Sequence, residues 1–295
     1  MQAAKEQFGW GKPNSKKTIQ AFGAMTAELA ENIISSAYSG MPERKIRGRI
    51  PVFINSYNQL TYLRDTLHWF CRNGFRNVTV VDNDSNHPDL LAYFETRAFK
   101  RRATLHRMGV NAGPRRTLEK MSALPETYDG FIFTDPDLLL PENPDPLFLT
   151  NMFRIGRWYR RLKVGLALDL NPEYIDLDRP AYLNRTVREV ERKNWKRELE
   201  PGVFKAVVDT TFFLYVPPHG PHKCFSLHGR RQTRLPSIRM AKEGYSAFHR
   251  PWLKDEDLHV SESSYYSETA SKVYSTVSGA AALERGDEHL LRRRA

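Results

Sequence analysis

Asp135 and Asp137 stand on either side of Pro136 in "FIFTDPDLLLPE", residues 131 to 142, inside a run that otherwise reads as core. Two carboxylates placed that close repel, and each costs several kcal/mol to desolvate without a partner. A hard divalent cation resolves the conflict, because Mg²⁺ and Mn²⁺ take oxygen ligands, often one or two carboxylates completed by substrate phosphates. Proline stiffens the turn that would present both acids to one metal–nucleotide complex. Taken alone the pair is also what an ordinary turn beside proline looks like, so its meaning depends on the elements that carry it.

Those elements alternate. "RIPVFINS" (49–56), "NVTVVDND" (77–84), "ATLHRMG" (103–109) and "DGFIFTDPD" (129–137) read as strands. Between them, "LTYLRDTLHWFCRNG" (60–74), "PDLLAYFETRAF" (88–99) and "PRRTLEKMSAL" (114–124) read as helices, the first closed by Gly74 and the second opened by Pro88. Strands alternating with helices predict an α/β fold with a mostly parallel central sheet and helices on both faces. Right-handed crossovers put the strand C-termini on one edge, where open α/β sheets bind ligands. Acids recur at that edge: Asp82 and Asp84 after the second strand, Asp135 and Asp137 after the fourth. Further on, "VGLALDL" (164–170) and "AVVDTTFFLYVP" (206–217) read as strands, with a charged, helical stretch between, and "YSAFHRPWL" (245–253) reads as a last strand and turn. Asp209, set among apolar residues, is costly to bury without a task.

The division expected is an N-terminal helical extension at 1–48, a nucleotide-binding βαβ half at 49–150, a second half of the same domain at 151–266, and a polar tail at 267–295. No run approaches the roughly 20 apolar residues of a membrane helix. The first residues lack an apolar signal core. The two cysteines, Cys71 and Cys224, are too few for a disulfide framework or a zinc site and fit a cytoplasmic location. The net charge of +11 gathers at 154–163, 185–198 and 229–239, a surface expected to attract anions, including peripheral contact with an anionic membrane, unless these are simply solvated helix faces. The same charge allows a basic nucleic-acid-binding protein without catalysis, but no zinc, recognition-helix or RNP-like motif supports nucleic acid as a partner.

"IPVFINSYNQLTYL", "VVDNDS", "NAGPRRTL" and "FIFTDPDLLL", in this order, resemble the nucleotide-sugar-dependent glycosyltransferases of the GT-A fold, close to family 2. The resemblance covers about 48–150 well and 150–266 loosely. It implies a nucleotide-diphosphate sugar donor, UDP-linked in its leading form, Mn²⁺ or Mg²⁺ as cofactor, and a glycan or lipid-linked acceptor. It places Asp135 toward ribose or metal and Asp137 on the metal. Asn55, Ser56 and Tyr57 would line base and ribose, with Asp82 beside them or serving as a turn residue. Gly113 would allow close backbone approach, with Arg115 or Arg116 on a phosphate, although Pro114 departs from the usual flexible segment. "DTTF" and "HRPW" resemble a bacterial and phage branch of these enzymes. They imply Asp209 as the base of an inverting transfer (Asp169 a weaker candidate), His249 as a further metal ligand and Trp252 as an acceptor platform. A sugar nucleotidyltransferase is the rival enzyme, but its glycine-rich loop after the first strand is missing from "NSYNQLTYLR". A catalytically dead scaffold is a third possibility, against which the paired acids argue.

Overall fold

The computed structural model describes residues 38, 40–181, 185–217 and 235–254. The helix expected at the start of the chain and the tail from 267 lie outside them.

The eleven strands among the described residues are β1 Val52–Ser56, β2 Val78–Asp82, β3 Thr104–Arg107, β4 Phe131–Thr134, β5 Leu138–Leu139, β6 Lys163–Leu168, β7 Glu198–Glu200, β8 Val203–Phe204, β9 Phe213–Tyr215, β10 Ser237–Met240 and β11 Ser246–His249. They form one sheet in the order β3-β2-β1-β4-β9-β6-β10-β8-β7, with β11 attached to β6 and β5 to β11. The first four strands are parallel. β9 runs against β4 and β6, β8 against β10 and β7, and β5 against β11, while β10 and β11 lie parallel to β6. The α/β, mostly parallel architecture expected from the sequence is the one found, with the antiparallel pairs formed by β5 and by strands of the second half.

The seven α-helices among the described residues are α1 Glu43–Arg49, α2 Leu60–Arg72, α3 Pro88–Glu95, α4 Arg97–Lys100, α5 Gly113–Ser122, α6 Phe148–Trp158 and α7 Val187–Glu191. The helix expected over 88–99 breaks at Thr96, whose hydroxyl caps α4 by accepting from the Phe99 amide. Period-two alternation sorts the sheet's side chains onto two faces. Phe53, Phe131, Phe133, Phe213 and Tyr215 meet Leu118 and Met121 of α5 on one side. Ile54, Ile132 and Leu214 meet α2, α3 and α6 on the other. α1 falls within the segment set apart as an extension, yet it packs on α6. Glu43 accepts from the Leu149 and Thr150 amides at 2.9 and 3.0 Å, satisfying two donors in that helix's first turn.

Four of the strands named above were not evident in the sequence: β5 is the two-residue continuation of the acidic turn. β7 and β8 follow the charged segment, and β10 lies inside the third basic run. Arg239 on β10 is buried and forms a bidentate ion pair with buried Glu191 of α7. Part of the apparent surface charge is therefore internal.

Candidate active site

Parallel register aligns the C-terminal ends of β1, β2 and β3, pairing Ser56 with Asp82 and Asp82 with Arg107. Pairing of Ile54 with Thr134 brings the residue after β4 beside Asn55. A hydrogen-bonded chain then crosses the edge. Thr117 Oγ1 of α5 donates to Asn83 Oδ1 at 3.0 Å, Asn83 Nδ2 to Asn55 Oδ1 at 2.7 Å, and Asn55 Nδ2 to Asp135 Oδ1 at 2.9 Å. Thr210 Oγ1, just before β9, closes the chain on Asp135 Oδ2 at 2.6 Å. Burial raises the Asp135 carboxyl well above the usual carboxylate range, and the charges of Asp137 and Asp209 add to the rise. The bonds from Thr210 and Asn55 pull the other way.

The turn between the two acids is held through its main chain. The Asp135 carbonyl accepts from Thr134 Oγ1 at 2.8 Å, the Pro136 carbonyl from Thr66 Oγ1 of α2 at 2.8 Å, and the Asp137 carbonyl from the Arg250 amide at 2.9 Å. The last bond continues the antiparallel pairing of β5 with β11, Leu138 opposite His249. It delivers His249 Nε2 to 3.3 Å from Asp137 Oδ2. Asp137 Oδ1 and His249 Nδ1 are both buried without a hydrogen-bond partner among the described residues. Cis ligands on an octahedral ion with bonds of about 2.1 Å sit about 3 Å apart, so this carboxylate and imidazole fit two neighbouring positions on one cation. Among the described residues no group of three or more His, Cys, Asp or Glu side chains gathers for a metal. Asp135, with both oxygens already hydrogen-bonded, stands next to the pair rather than completing it. The remaining ligands would be phosphate oxygens and water, the usual situation for Mg²⁺.

Asp209 corrects one expectation. The sequence pattern puts it buried in a strand spanning 206–217, but β9 begins only at Phe213 and Asp209 is exposed. It lies close enough to Asp135 to raise that carboxyl. Its position depends on a residue that sequence reasoning missed, Lys163, the first residue of β6. Lys163 is 1 % exposed, and its Nζ donates to the Val208 and Asp209 carbonyls at 2.6 and 2.7 Å and sits 4.1 Å from the centre of the Phe213 ring. Burial lowers its amine to about 7. A lysine opening "KVGLAL" reads as solvated, and only its place between β9 and β10 puts it inside.

The other expected residues divide. Ser56 and Asp82 are buried, at 0 % and 1 %, and Tyr57 is half-buried. The Asp82 carboxylate accepts from the Ser85 amide at 3.4 Å and pairs with Arg107 at 3.5 Å, contacts that fit the turn role and leave the base or ribose role open. Gly113 begins α5 at φ 72°, a conformation suited to glycine, and Arg115 and Arg116 are exposed in its first turn. Asp169 follows β6 and accepts from the Asn171 amide at 2.9 Å, an ordinary turn bond. Trp252 was expected as an acceptor platform, but it is a core residue at 5 % exposure. Its ring backs His249 edge-on, 4.4 Å between centres, because the 250–252 turn folds it inward and thereby fixes the imidazole.

No protein-family model matches the sequence, and no curated protein does. Among solved structures the chain is similar to that of GalNAc-T7 with UDP, GalNAc and Mn²⁺, at 12% identity and a TM-score of 0.43. The match covers 95% of this chain and 64% of that one, so this chain spans less than two thirds of its neighbour's length. A likeness at that TM-score leaves the chemistry to be read from the residues of the site.

Proposed function

We propose that the chain is a metal-dependent glycosyltransferase, moving a sugar from a nucleotide-diphosphate donor, UDP-linked in its leading form, to a hydroxyl of a glycan or lipid-linked acceptor. The observation that carries this reading is the Asp137–His249 pair, 3.3 Å apart at the C-terminal edge of the parallel strands, with Asp137 Oδ1 and His249 Nδ1 left unpartnered among the described residues. Asp137 and His249 would hold the cation, Mn²⁺ or Mg²⁺, which when bound neutralises charge on the donor diphosphate. Asn55, Ser56 and Tyr57 would line the nucleoside, with Asp82 holding the turn behind them. Asp135, kept in place by Asn55 and Thr210, would face ribose or sugar. Arg115 or Arg116, in the first turn of α5 beside Gly113, would meet a phosphate.

The exposed Asp209 carboxylate, next to Asp135, is the candidate base. In an inverting transfer it takes the proton of the acceptor hydroxyl as that oxygen bonds to the anomeric carbon. The bond from that carbon to the donor phosphate oxygen breaks, and the nucleoside diphosphate departs with the electron pair. The basic runs at 154–161 and 185–198 remain for contact with an anionic membrane, the buried Lys163 apart, and among the described residues no helix is long and apolar enough to cross one.

The test is thermal stability with each nucleoside diphosphate, with and without Mn²⁺. Stabilisation by one base only when metal is present, absent in Asp137→Ala, is the expected result. A response to a nucleoside triphosphate with pyrophosphate release would replace transfer of a sugar by transfer of a nucleotide.

A further inference from the structure

Four successive carbonyls, from Ala206 to Asp209, are held by side chains instead of a neighbouring strand. Ser237 Oγ donates to Ala206 at 2.6 Å and Arg239 Nε to Val207 at 2.8 Å. Lys163 Nζ takes the next two, Val208 and Asp209, at 2.6 and 2.7 Å. In extended backbone successive carbonyls point to opposite sides. One nitrogen can bond both only if the chain turns between them. That turn keeps Val208 buried at 1 % and tips Asp209 into solvent. Gly165, two residues along β6, lets the segment lie this close: a Cβ there would stand 2.7 Å from Val208 Cγ1 and 2.9 Å from the Phe212 carbonyl oxygen. The residue after the turn, Thr210, donates to Asp135.

We propose that Lys163 is a positioning residue for the transfer: by clamping the Val208 and Asp209 carbonyls it sets the Asp209 carboxylate toward the acceptor while Thr210 stays fixed on the donor-side Asp135. The role rests on the glycosyl-transfer reading above. A ladder strand could have satisfied the same carbonyls, but it would have carried the 206–209 stretch straight on, without the turn that exposes Asp209. A buried amine satisfies two carbonyls at one point and leaves the carboxylate outside.

The experiment uses the full chain, a panel of UDP-linked sugars with Mn²⁺, and UDP release as the readout. Lys163→Met keeps the length of the side chain and removes both donors. It is expected to speed hydrogen exchange of the 206–212 amides while leaving those of 55–58 slow. It is expected to lower kcat roughly 10²-fold, the scale for a misplaced reacting group, with the donor KM changed less than about twofold. The Lys163→Met/Asp209→Asn double variant should be no slower than Asp209→Asn, since both remove one function. Gly165→Ala, which pushes the same segment while keeping the lysine, should reproduce the pattern and decides the matter if Lys163→Met does not fold. Unchanged exchange over 206–212, or losses that multiply fully in the double variant, would overturn the positioning role. A wild type that releases no nucleotide from any donor would instead sink the transfer reading, and the positioning role with it.

Discussion

His249 Nε2 lies 3.3 Å from Asp137 Oδ2 because β11 adds to the two-residue strand β5 immediately after the acidic turn. The two residues belong to different halves of the chain, and their meeting is set by main-chain pairing. Thr66 and the Arg250 amide hold the adjoining carbonyls, so the pair is fixed before any ligand arrives.

Removing either partner should therefore remove metal-dependent nucleotide binding. Asp137→Ala and His249→Ala are each expected to abolish the Mn²⁺-dependent rise in Tm, which for wild type at 100 times Kd corresponds to about 2.7 kcal/mol. Thermal unfolding with nucleoside diphosphate and with or without Mn²⁺ measures it. A full response in either variant would move the metal elsewhere.

Asn83 links Thr117 of α5 to Asn55 of β1. Asn83→Ala takes the bond from the buried Asn55 amide oxygen, at a cost of about 1–3 kcal/mol, while the Thr117 hydroxyl keeps the Gly113 carbonyl at 3.0 Å. Urea denaturation should show that loss at unchanged slope, together with weaker nucleotide binding, because Asn55 then no longer holds Asp135 in one orientation.

Glu191 and Arg239 form a buried ion pair, and Arg239 also bonds the Val207 carbonyl at 2.8 Å. Glu191→Ala leaves the guanidinium buried without its counter-charge and should destabilise the fold by about 3–5 kcal/mol. Replacing both residues with apolar ones of similar volume should cost less. A single-variant loss below about 1 kcal/mol would show that water reaches the pair.

Lys163 gives stability a pH dependence. Burial holds its folded amine at about 7, against 10.5 for an ordinary lysine, so between those values the unfolded chain holds one proton more than the native one. Stability contributed by this group rises with pH through that window, by up to about 1.4 kcal/mol per unit, and is flat below it. Chemical denaturation from pH 7 to 10 should show the slope in wild type and its loss in Lys163→Met.

The strand–helix order of residues 49–137 follows from short-range periodicity, and there the sequence was a sound guide. Apolar alternation marks β1, β2 and β4, Gly74 closes α2 at φ 84°, and the acids stand where the strands end. Local pattern could also single out the Asp-Pro-Asp turn, since charge inside an apolar run is visible without knowing any contact.

What folding alone decided is which distant groups share one environment. That Trp252 would be buried, that Asp209 would be exposed and that Lys163 would be enclosed all depend on strands paired across the two halves, and so does the 3.3 Å approach of His249 to Asp137 that the resemblance only implied. β10 could not be read from a basic run, because Arg239 is acceptable inside only when Glu191 is already there. Burial and pairing energies belong to the neighbours a side chain acquires, and those neighbours are set by sheet order. The residue types of this chain specify the chemistry it could perform; the antiparallel strands β5 and β9 determine which of those residues stand together to perform it.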